Sequence, residues 1–311
     1  MIRIGIDAMG GDFAPLEAVK GCITVRTVMP EVCPVLFGHK DKINAVFSEL
    51  GVDSNLFEIV HAEEEIEMSE HATKAIAHKK NSSINIAYRY LVEQQIDAFI
   101  GAGNTGAMLV GAMFSVKAID GVRRPVITSI IPKLAGGFGV LIDVGANADC
   151  KPEVLNQFGI LGSLYAQHVY SIDNPKVGLL SIGEEKEKGN LLTQATYPIM
   201  ELNDRINFVG NIEGRDLFND KADVIVCDGF TGNIILKLCE NFYYTLSKLG
   251  VDNEFLNKFN FKKYGGSAVL GVNKAIIVGH GISKEETFVS MFKLAADVVN
   301  SKLIDKIKQS F

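Results

Sequence analysis

The stretch Asp97-Ala-Phe-Ile-Gly-Ala-Gly-Asn-Thr-Gly106 reads as a short apolar strand, a glycine-rich turn and the start of a helix. A second stretch, Asp223-Val-Ile-Val-Cys-Asp-Gly-Phe-Thr-Gly232, repeats that order. Glycine after a strand permits a tight turn, and the helix that follows offers unpaired N–H groups and a partial positive charge at its N-terminus. Each stretch therefore predicts a strand-to-helix loop that binds an anion.

The two stretches share Asp, Gly, Thr and Gly at a constant offset: positions 97, 103, 105 and 106 match positions 223, 229, 231 and 232. We interpret them as two pseudo-equivalent units whose G-x-T-G loops face one cleft. The alternative is coincidence, since a short match can arise in a common strand-to-helix turn.

Apolar runs of strand length recur along the chain with turn residues on both sides. The predicted strands are Ile2–Ile6, Pro34–Phe37, Phe57–Val60, Ala98–Ile100, Val126–Ile131, Val140–Asp143, Val177–Ile182, Ile206–Val209, Val224–Cys227 and Ala275–Val278. Helical stretches lie between many of them, including Leu16–Val28, Asn81–Glu93, Ala107–Lys117 and Ile234–Leu249. This alternation predicts an α/β fold with mostly parallel sheets, in which ligands collect at the carboxyl ends of the strands.

Composition narrows the class of protein. Of 311 residues, 47% are hydrophobic and 22% charged, which is typical of a globular chain with a sizeable core. The net charge of −6 argues against a general nucleic-acid binder, which needs clustered Lys and Arg. The five cysteines include no C-x-x-C pair, and no apolar run approaches the ~20 residues of a membrane span. We expect reduced thiols and a cytoplasmic location.

Polar side chains cluster in the loops that follow the predicted strands. We expect phosphate or an oxyanion to be held by Gly103, Asn104, Thr105, Gly106, Gly229, Thr231 and Gly232, whose backbone, amide and hydroxyl groups are neutral donors. Supporting roles are predicted for Asp7, Asp12, Asp143, Asn147 and Asp228. Taken singly, each Asp beside a glycine is equally well explained as a turn or a helix cap.

Two other chemistries were weighed at the same loops. Gly101-x-Gly103-x-x-Gly106 matches the dinucleotide fingerprint, with Asp120 about 20 residues on. That acid should end the next strand, whereas Asp120 precedes the strand at Val126, so dinucleotide binding is disfavoured. No metal is required either, because His71 and His78 lie too far apart on a helical face to chelate one ion directly.

Six motifs occur in order along the chain: Ile4-Gly-Ile-Asp-Ala-Met-Gly-Gly-Asp-Phe-Ala-Pro15, Ala102-Gly-Asn-Thr-Gly-Ala107, Asp143-Val-Gly-Ala-Asn-Ala-Asp149, Asn207-Phe-Val-Gly-Asn-Ile-Glu-Gly-Arg-Asp216, Val226-Cys-Asp-Gly-Phe-Thr-Gly-Asn233, and Tyr264-Gly-Gly with His280-Gly281. Together they resemble the bacterial phosphate acyltransferases of phospholipid synthesis. The resemblance runs from Met1 to about Ala296. Two features depart from it: Ala77 stands where the family usually has Arg, and the stretch from Asn233 to Tyr264 is short.

The resemblance implies a fold similar to the isocitrate/isopropylmalate dehydrogenases, with residues 1–311 forming one domain of two intertwined α/β lobes. It implies conversion of an acyl-[acyl carrier protein] and phosphate to acyl phosphate and free carrier, without a cofactor. It further implies a homodimer with peripheral membrane contact, acting with a downstream membrane acyltransferase. Residues 234–264 would form the helical segment near the dimer and membrane contacts.

Lys188, Asn233 and His280 are expected to perform the chemistry that the resemblance implies. Thr231, Gly232 and Asn233 would hold phosphate and the thioester carbonyl oxygen together with Asn104 and Thr105. Lys188 would neutralise phosphate charge, although a lysine in Glu184-Glu-Lys-Glu-Lys188 could equally be solvated. His280 would donate to phosphate or protonate the departing thiolate.

A basic surface is expected for the acidic carrier protein. The candidates are Arg123-Arg124 and a stretch with Lys258, Lys262 and Lys263, interleaved with Phe255, Phe259 and Phe261. That stretch could instead contact lipid headgroups or pack against a dimer partner. Two other functions stay open for the whole chain: NAD-dependent oxidation on the related dehydrogenase fold, and a small-anion-binding protein without turnover.

Overall fold

The computed structural model describes residues 1–260 and 264–311. The chain forms two compact units, one of Met1–Ala118 and Phe261–Asn300, the other of Ile119–Asn260 and Ser301–Phe311. Because the chain passes from one unit to the other after residues 118, 260 and 300, neither unit is continuous in sequence. The predicted pair of intertwined α/β lobes is therefore confirmed.

The first unit is a sheet with the strand order β3-β2-β1-β4-β11-β10. Its strands are β1 Ile2–Asp7, β2 Val32–Gly38, β3 Glu58–His61, β4 Ala98–Gly101, β10 Ser267–Leu270 and β11 Ala275–Val278. All neighbours pair in parallel except β10, which is antiparallel to β11. Its helices are α1 Leu16–Val28, α2 Lys40–Glu49, α3 Ala72–His78, α4 Ser83–Val92, α5 Thr105–Gly111 and α10 Glu285–Asn300.

The second unit is a sheet with the strand order β5-β6-β9-β7-β8. Its strands are β5 Val126–Pro132, β6 Phe138–Ile142, β7 Lys176–Leu180, β8 Asn207–Ile212 and β9 Val224–Val226. Strand β5 is antiparallel to β6, and the other neighbours are parallel. Its helices are α6 Pro152–Tyr170, α7 Leu191–Glu201, α8 Gly229–Lys248, α9 Glu254–Asn257 and α11 Leu303–Ser310.

The first unit thus has five parallel strands and the antiparallel β10, and the second has four parallel strands and the antiparallel β5. Strands β4 and β9 are each third in order when counted from the antiparallel strand. The matched aspartates before these two strands perform the same task. Asp97 Oδ2 accepts a hydrogen bond from Arg3 N at 2.8 Å, and Asp97 N donates to Arg3 O at 2.7 Å. Asp223 brackets Lys176 in the same way, at 2.8 and 2.7 Å. This shared detail supports internal repetition over coincidence.

The ten predicted strands are present, with ends shifted by a few residues. The prediction omitted β10, a short, mostly apolar run of four residues that directly follows the glycine pair at 265–266. The helix predicted over Ala107–Lys117 is also interrupted: α5 ends at Gly111, and Ala112–Val116 forms a π-turn. The Tyr88 hydroxyl donates to the Met108 carbonyl at 2.5 Å, in competition with the helical hydrogen bond to that oxygen.

Helix α8 begins at Gly229 rather than at the predicted Ile234, so the G-F-T-G segment is the first turn of the helix itself. The C-terminal helix α11 is amphipathic, since Leu303 and Ile307 are buried and Lys306 is exposed. None of the helices formed by residues 1–260 and 264–311 is long and apolar enough to cross a membrane.

Candidate functional site

The loop after β9 is stabilised by the cap of α8. Asp228 accepts hydrogen bonds from the Thr231 N–H at 2.9 Å and the Thr231 hydroxyl at 2.8 Å. Gly229 N donates to Asn147 O at 2.7 Å. A Cβ on Gly232 would lie 1.8 Å from the Asp143 carbonyl oxygen, so only glycine fits there.

Asp143 organises the neighbouring loop after β6. Its buried carboxylate accepts from Gly145 N at 3.1 Å, Ala146 N at 3.0 Å, Asn147 N at 2.7 Å and Asn147 Nδ2 at 2.9 Å. Burial raises the pKa of Asp143, and the hydrogen bonds from Ala146 and Asn147 oppose that rise. Because the Asn147 carbonyl in turn binds Gly229, this carboxylate orients the loop from which α8 starts.

The first turn of α8 keeps some donors available for a ligand. Both polar hydrogens of Thr231 are directed to Asp228, so Thr231 acts in this structure as part of the cap. The Phe230 N–H has no acceptor among the described residues, and the Asn233 amide is exposed and likewise unpaired there. Gly145, with φ of +139°, lies beside the Asn233 side chain.

Lys188 lies on the loop after β7. Within the described part of the chain its ammonium forms no ion pair, whereas Lys186, two residues earlier, pairs with Glu201. The loop is tightly built, since Lys188 N donates to Glu185 O at 3.0 Å and Gly189 has φ of +109°. A Cβ on Gly189 would lie 2.0 Å from Thr193 Oγ1. Lys188 is therefore an exposed cation on an ordered loop.

A large apolar cavity lies within the second unit, next to both loops. Its volume is about 990 Å³. Its lining includes Ser181, Gly189 and Asn190 from the loop after β7, and Asp228 and Thr231 from the start of α8. Lys188 directly precedes Gly189 in the chain. The remaining lining is mostly aliphatic and aromatic. The loops after β7 and β9, far apart in sequence, are thus brought to one space.

In the first unit, Asp7 ends β1 and packs against the loop after β4. It is 2% exposed, and its Oδ1 accepts from Met9 N at 3.1 Å. A Cβ on Gly10 would lie 2.5 Å from Asp7 Oδ2 and 2.7 Å from Gly103 N, so the backbones of the two loops touch. Burial raises the pKa of Asp7 to about 6.

Asn104 is buried, and its side chain joins the start of α5 to the segment at residues 67–70; we call this set of hydrogen bonds the clasp. Its Oδ1 caps α5 by accepting from Ala107 N at 2.9 Å. Its Nδ2 donates to the carbonyl oxygens of Glu67, Met68 and Glu70 at 2.9–3.3 Å. Its polar groups are therefore committed to the chain itself. Thr105, which follows it, is exposed, and a Cβ on Gly106 would lie 3.0 Å from the Ala72 methyl group.

The loops after β1 and β11 also meet. Asp12 N donates to Gly281 O at 2.8 Å, and Met68 Cε lies 3.0 Å from the position of a Cβ on Gly281. The carbonyl of His280 accepts from Ser283 N at 2.9 Å and Ser283 Oγ at 2.5 Å. His280 is thus placed by a turn, and its role as proton donor stays a prediction.

The structure gathers the predicted residues into two groups, one in each unit. Asp7, Asp12, Gly103, Asn104 and His280 belong to the loops of the first. Asp143, Asn147, Lys188, Asp228, Gly229, Thr231, Gly232 and Asn233 belong to the loops of the second. That the two groups face a shared cleft stays a prediction. Of the basic candidates, Lys258 lies 3.8 Å from Glu254, while Phe261, Lys262 and Lys263 lie outside the described residues.

Comparison with known proteins identifies the family. A family model described as fatty acid synthesis protein matches residues 2–306. The phosphate acyltransferase of Dictyoglomus thermophilum is 40% identical over 98% of this chain and 96% of its own length. The phosphate acyltransferase of Desulforamulus reducens is 41% identical over 100% of this chain and 97% of its own. The chain belongs to the phosphate acyltransferase family.

Solved structures share the fold of this phosphate acyltransferase family member. A phosphotransacetylase from Streptococcus pyogenes aligns with a TM-score of 0.70 and 14% identity, covering 96% of this chain and 94% of that one. A 4-hydroxythreonine-4-phosphate dehydrogenase from Klebsiella pneumoniae aligns with a TM-score of 0.57 and 13% identity, over 96% and 99%. At such identities the likeness establishes the fold alone. It agrees with the predicted dehydrogenase-like architecture.

The structure does not support the dinucleotide alternative. Asp120 lies in a turn before β5, whereas a ribose-binding acid is expected at the end of a strand. Two features of the site were missed from sequence. One is the segment at residues 67–70, which has no motif and is recognised only by its carbonyl contacts with Asn104. The other is the apolar cavity, whose signal was present in α8 as the spacing of Ile235, Cys239 and Leu246.

Proposed function

We propose that this chain transfers an acyl group from the thioester of acyl-[acyl carrier protein] to inorganic phosphate, yielding acyl phosphate and free carrier for phospholipid synthesis. The observation that carries the proposal is the start of α8 in a member of the phosphate acyltransferase family. Its first turn contains neutral donors, a glycine pressed against Asp143, and the unpaired Asn233 amide. Such a helix start suits an anion that must be held without a covalent bond to the protein.

The reaction needs no protein nucleophile. A phosphate oxygen attacks the thioester carbonyl carbon, the carbonyl oxygen becomes an oxyanion, and the C–S bond then breaks. The thiolate leaves with the carrier and takes up a proton. Alignment of the reactants can lower the barrier by up to ~7–11 kcal/mol, and a single oxyanion donor typically contributes ~3–4 kcal/mol. Preorganised backbone and amide dipoles supply both without titrating.

The second-unit residues divide into two roles in this proposal. The Phe230 N–H and the Asn233 amide bind phosphate or the oxyanion directly, and Lys188 neutralises phosphate charge from the loop after β7. Gly229, Thr231 and Gly232 shape the turn, with Thr231 tied to Asp228. Asp143 and Asn147 hold that turn in position from behind. Gly103, Thr105 and Gly106 remain predicted phosphate contacts on the loop after β4.

A trapping assay tests the proposal. The purified chain is incubated with palmitoyl-carrier protein, phosphate and hydroxylamine, and both acyl hydroxamate and free carrier thiol are measured. The expected result is that hydroxamate forms when phosphate is present and does not form when sulfate replaces it. Phosphate binding without carrier release would instead indicate an anion-binding protein, and NADH formation from NAD with a hydroxy-acid phosphate would indicate a dehydrogenase.

Two asparagines on α8 provide matched variants for this assay. Asn233 lies in the first turn, whereas Asn241 is equally exposed two turns later and does not line the cavity. Asn233→Ala is expected to lower kcat/KM about a hundredfold, as loss of an oxyanion donor does, and Asn241→Ala to leave it within about twofold. Equal activity of both variants would remove Asn233 from the site.

A further inference from the structure

The surface formed by α3 and α4 is cationic, although the chain as a whole is acidic. Residues 71–92 contain four Lys or Arg and two His but no Asp or Glu, whereas the whole chain has a net charge of −6. The exposed members of this stretch include Lys74, His78, Lys80 and Arg89. We call these four residues the basic surface.

The contact between α3 and α4 places these cations around the end of α3. The side chain of Asn85, in the first turn of α4, donates to Ile76 O at 3.1 Å and to Lys79 O at 2.8 Å. Arg89 follows Asn85 by four residues, so it lies on the face of α4 that meets the end of α3. Lys80 Nζ donates to Ile76 O at 3.3 Å. Two helices therefore contribute cations to one surface.

The cations of the basic surface have no ionic partner in the described chain. Lys74, Lys80 and Arg89 form no ion pair within residues 1–260 and 264–311, whereas Lys79 is paired with Glu70. Among the acids that precede the stretch, Glu65 is paired with Lys42 at 3.5 Å. Because like charges held close together repel one another, an acidic partner would be attracted to this surface and would relieve that repulsion.

The basic surface lies beside the loop after β4, which contains predicted phosphate contacts. Helix α3 begins at Ala72, and a Cβ on Gly106 would lie 3.0 Å from the Ala72 methyl group. The Asn104 clasp holds residues 67–70, which lead into α3. The seven residues of α3 span about 10 Å, so the helix stays close to this loop over its whole length.

The composition of the basic surface favours a protein partner over a membrane. A helix that binds lipid places bulky apolar side chains beside its cations. In α3 the apolar residues Ala75 and Ile76 are buried. Val92, the one large apolar side chain of residues 71–92 with substantial exposure, lies at the far end of α4. Cations without a side chain that can insert into lipid suit the carboxylates of an acidic protein surface.

We propose that the basic surface docks the acidic face of the acyl carrier protein, beside the loop after β4. The inference rests on the proposed function, which makes the carrier part of the substrate, and it adds the surface of this chain that recognises the carrier. Attraction between exposed charges acts mainly on the rate of association and is screened by salt. The kcat/KM for acyl carrier should therefore fall as ionic strength rises, and less steeply in variants that lack these charges.

Two acyl donors with the same thioester test the docking. One is palmitoyl-carrier protein, and the other is palmitoyl-pantetheine, used below its micelle concentration, which lacks the protein. Lys74→Glu and Arg89→Glu are each expected to lower kcat/KM about tenfold for the first donor and less than about twofold for the second. Lys74→Arg keeps the charge and should keep both values. Lys308→Glu makes the same charge change at an exposed position of α11, and should leave both values within about twofold.

A binding measurement needs no turnover. The fluorescence anisotropy of labelled carrier protein gives its dissociation constant, which is expected to be about tenfold higher for K74E and R89E than for the parent and K308E. Equal affinity of K74E and K308E would overturn the proposal. Equal losses with both acyl donors would also overturn it, because they would assign the basic surface to catalysis or folding.

The same variants test two other anions. Phosphatidylglycerol vesicles that float the parent and K308E but not K74E, with carrier affinity unchanged, would make the surface a membrane contact. A KM for phosphate that rises in K74E as much as the KM for acyl carrier would make it a phosphate site. Either result overturns the proposal.

The binding and kinetic results separate this inference from the proposed function. Weaker carrier binding by K74E without any phosphate-dependent acyl transfer would keep the docking surface and reject the reaction. Acyl transfer from the carrier that K74E and R89E leave unaltered would keep the reaction and reject the docking surface.

Discussion

At the scale of single residues, Lys188 and Lys186 share one short loop but differ in their partners. Lys186 is paired with Glu201, and Lys188 has no ion pair within the described residues. An unpaired cation beside an anion site is available to a substrate, whereas a paired one has its charge already compensated. Lys186 is therefore a matched control for substitutions of Lys188.

We expect Lys188→Ala to raise the KM for phosphate about tenfold or more, with a smaller change in the KM for the acyl carrier, because one attraction for the dianion is lost. Lys186→Ala should change neither constant by more than about twofold. Steady-state kinetics with phosphate varied at saturating acyl carrier measures both. An unaltered phosphate dependence in K188A would assign Lys188 to the solvated surface.

Gly232 is a residue whose side chain is excluded by backbone. A methyl group there would lie 1.8 Å from the Asp143 oxygen, whereas a methyl group on Gly214 would meet nothing within 4 Å. We expect Gly232→Ala to lower the free energy of unfolding by about 1–3 kcal/mol and to abolish acyl transfer, since the start of α8 must move. Gly214→Ala is the control, and denaturant unfolding is the measurement. Equal stability of G232A and G214A would contradict this packing.

Asp7 makes stability depend on pH. Burial raises its pKa from 3.8 to about 6, so the folded state holds the proton more tightly than the unfolded state does. The contribution of Asp7 is therefore fully present below about pH 4 and is lost as the pH rises through about 6, a change of about 3 kcal/mol in total.

Asp7→Asn removes this dependence because the amide does not titrate. The free energy of unfolding of D7N relative to the parent should rise by up to about 3 kcal/mol between pH 4 and pH 7. Urea unfolding across that range measures the difference, with the exposed Asp305→Asn as control. Parallel pH profiles of D7N and the parent would show that Asp7 is not the group responsible.

At the scale of elements, Asn104 joins α5 to the segment at residues 67–70. One amide group caps the helix and also binds three carbonyl oxygens. Ser82 is a simpler case, since its hydroxyl caps α4 by accepting from Asn85 N and no other side-chain bond of Ser82 is recorded in the described chain. Comparison of the two separates the cap from the clasp.

Asn104→Ala is expected to cost about 2–4 kcal/mol of stability and to expose residues 67–70 to hydrogen exchange, because a cap and two buried donors are lost together. Ser82→Ala should cost about 1 kcal/mol without affecting that segment. Asn104→Asp keeps the cap and removes the donors, so it should release the segment as well. Protection of residues 67–70 in N104D would show that the clasp is dispensable.

Helix α8 carries an apolar stripe of Phe230, Ile234, Leu238 and Phe242, whose members are 53–64% exposed at intervals of four residues. Leu238 and Phe242 also line the cavity, whereas Phe230 and Ile234 do not. A long apolar stripe on one helix indicates an interaction surface, since monomeric proteins rarely leave such a patch open.

At the scale of the whole molecule, this stripe makes the predicted homodimer testable. Ile234 belongs to the stripe and does not line the cavity, so Ile234→Glu changes the surface alone. Sedimentation analysis should find a dimer for the parent and a dissociation constant raised about a hundredfold or more for I234E, because a buried unpaired charge opposes association. Ser247→Glu, on the same helix outside the stripe, should remain dimeric. A monomeric parent would refute the dimer.

The sequence by itself determined the strands, most helices, the internal repeat and the family. These properties depend on neighbours in the chain: apolar runs form strands, glycine permits the turns, and an Asp or Asn before a helix caps it. Even the error at α8 was local, because the Asp228 cap starts that helix at Gly229, ahead of the predicted start at Ile234. The residues expected at the site were likewise predicted from their position after each strand.

Only the tertiary structure decided which polar groups remain available and where the apolar space lies. Asn104 and Thr231 read as free donors in sequence, yet their hydrogens go to the carbonyls at 67–70 and to Asp228. The Asn233 amide and the Lys188 ammonium form no such bond within the described residues. The cavity needed α6, α8 and the loops after β7 and β8 to pack together. A hydrogen bond or a cavity depends on segments distant in the chain, and local propensity contains no information about which distant segment arrives.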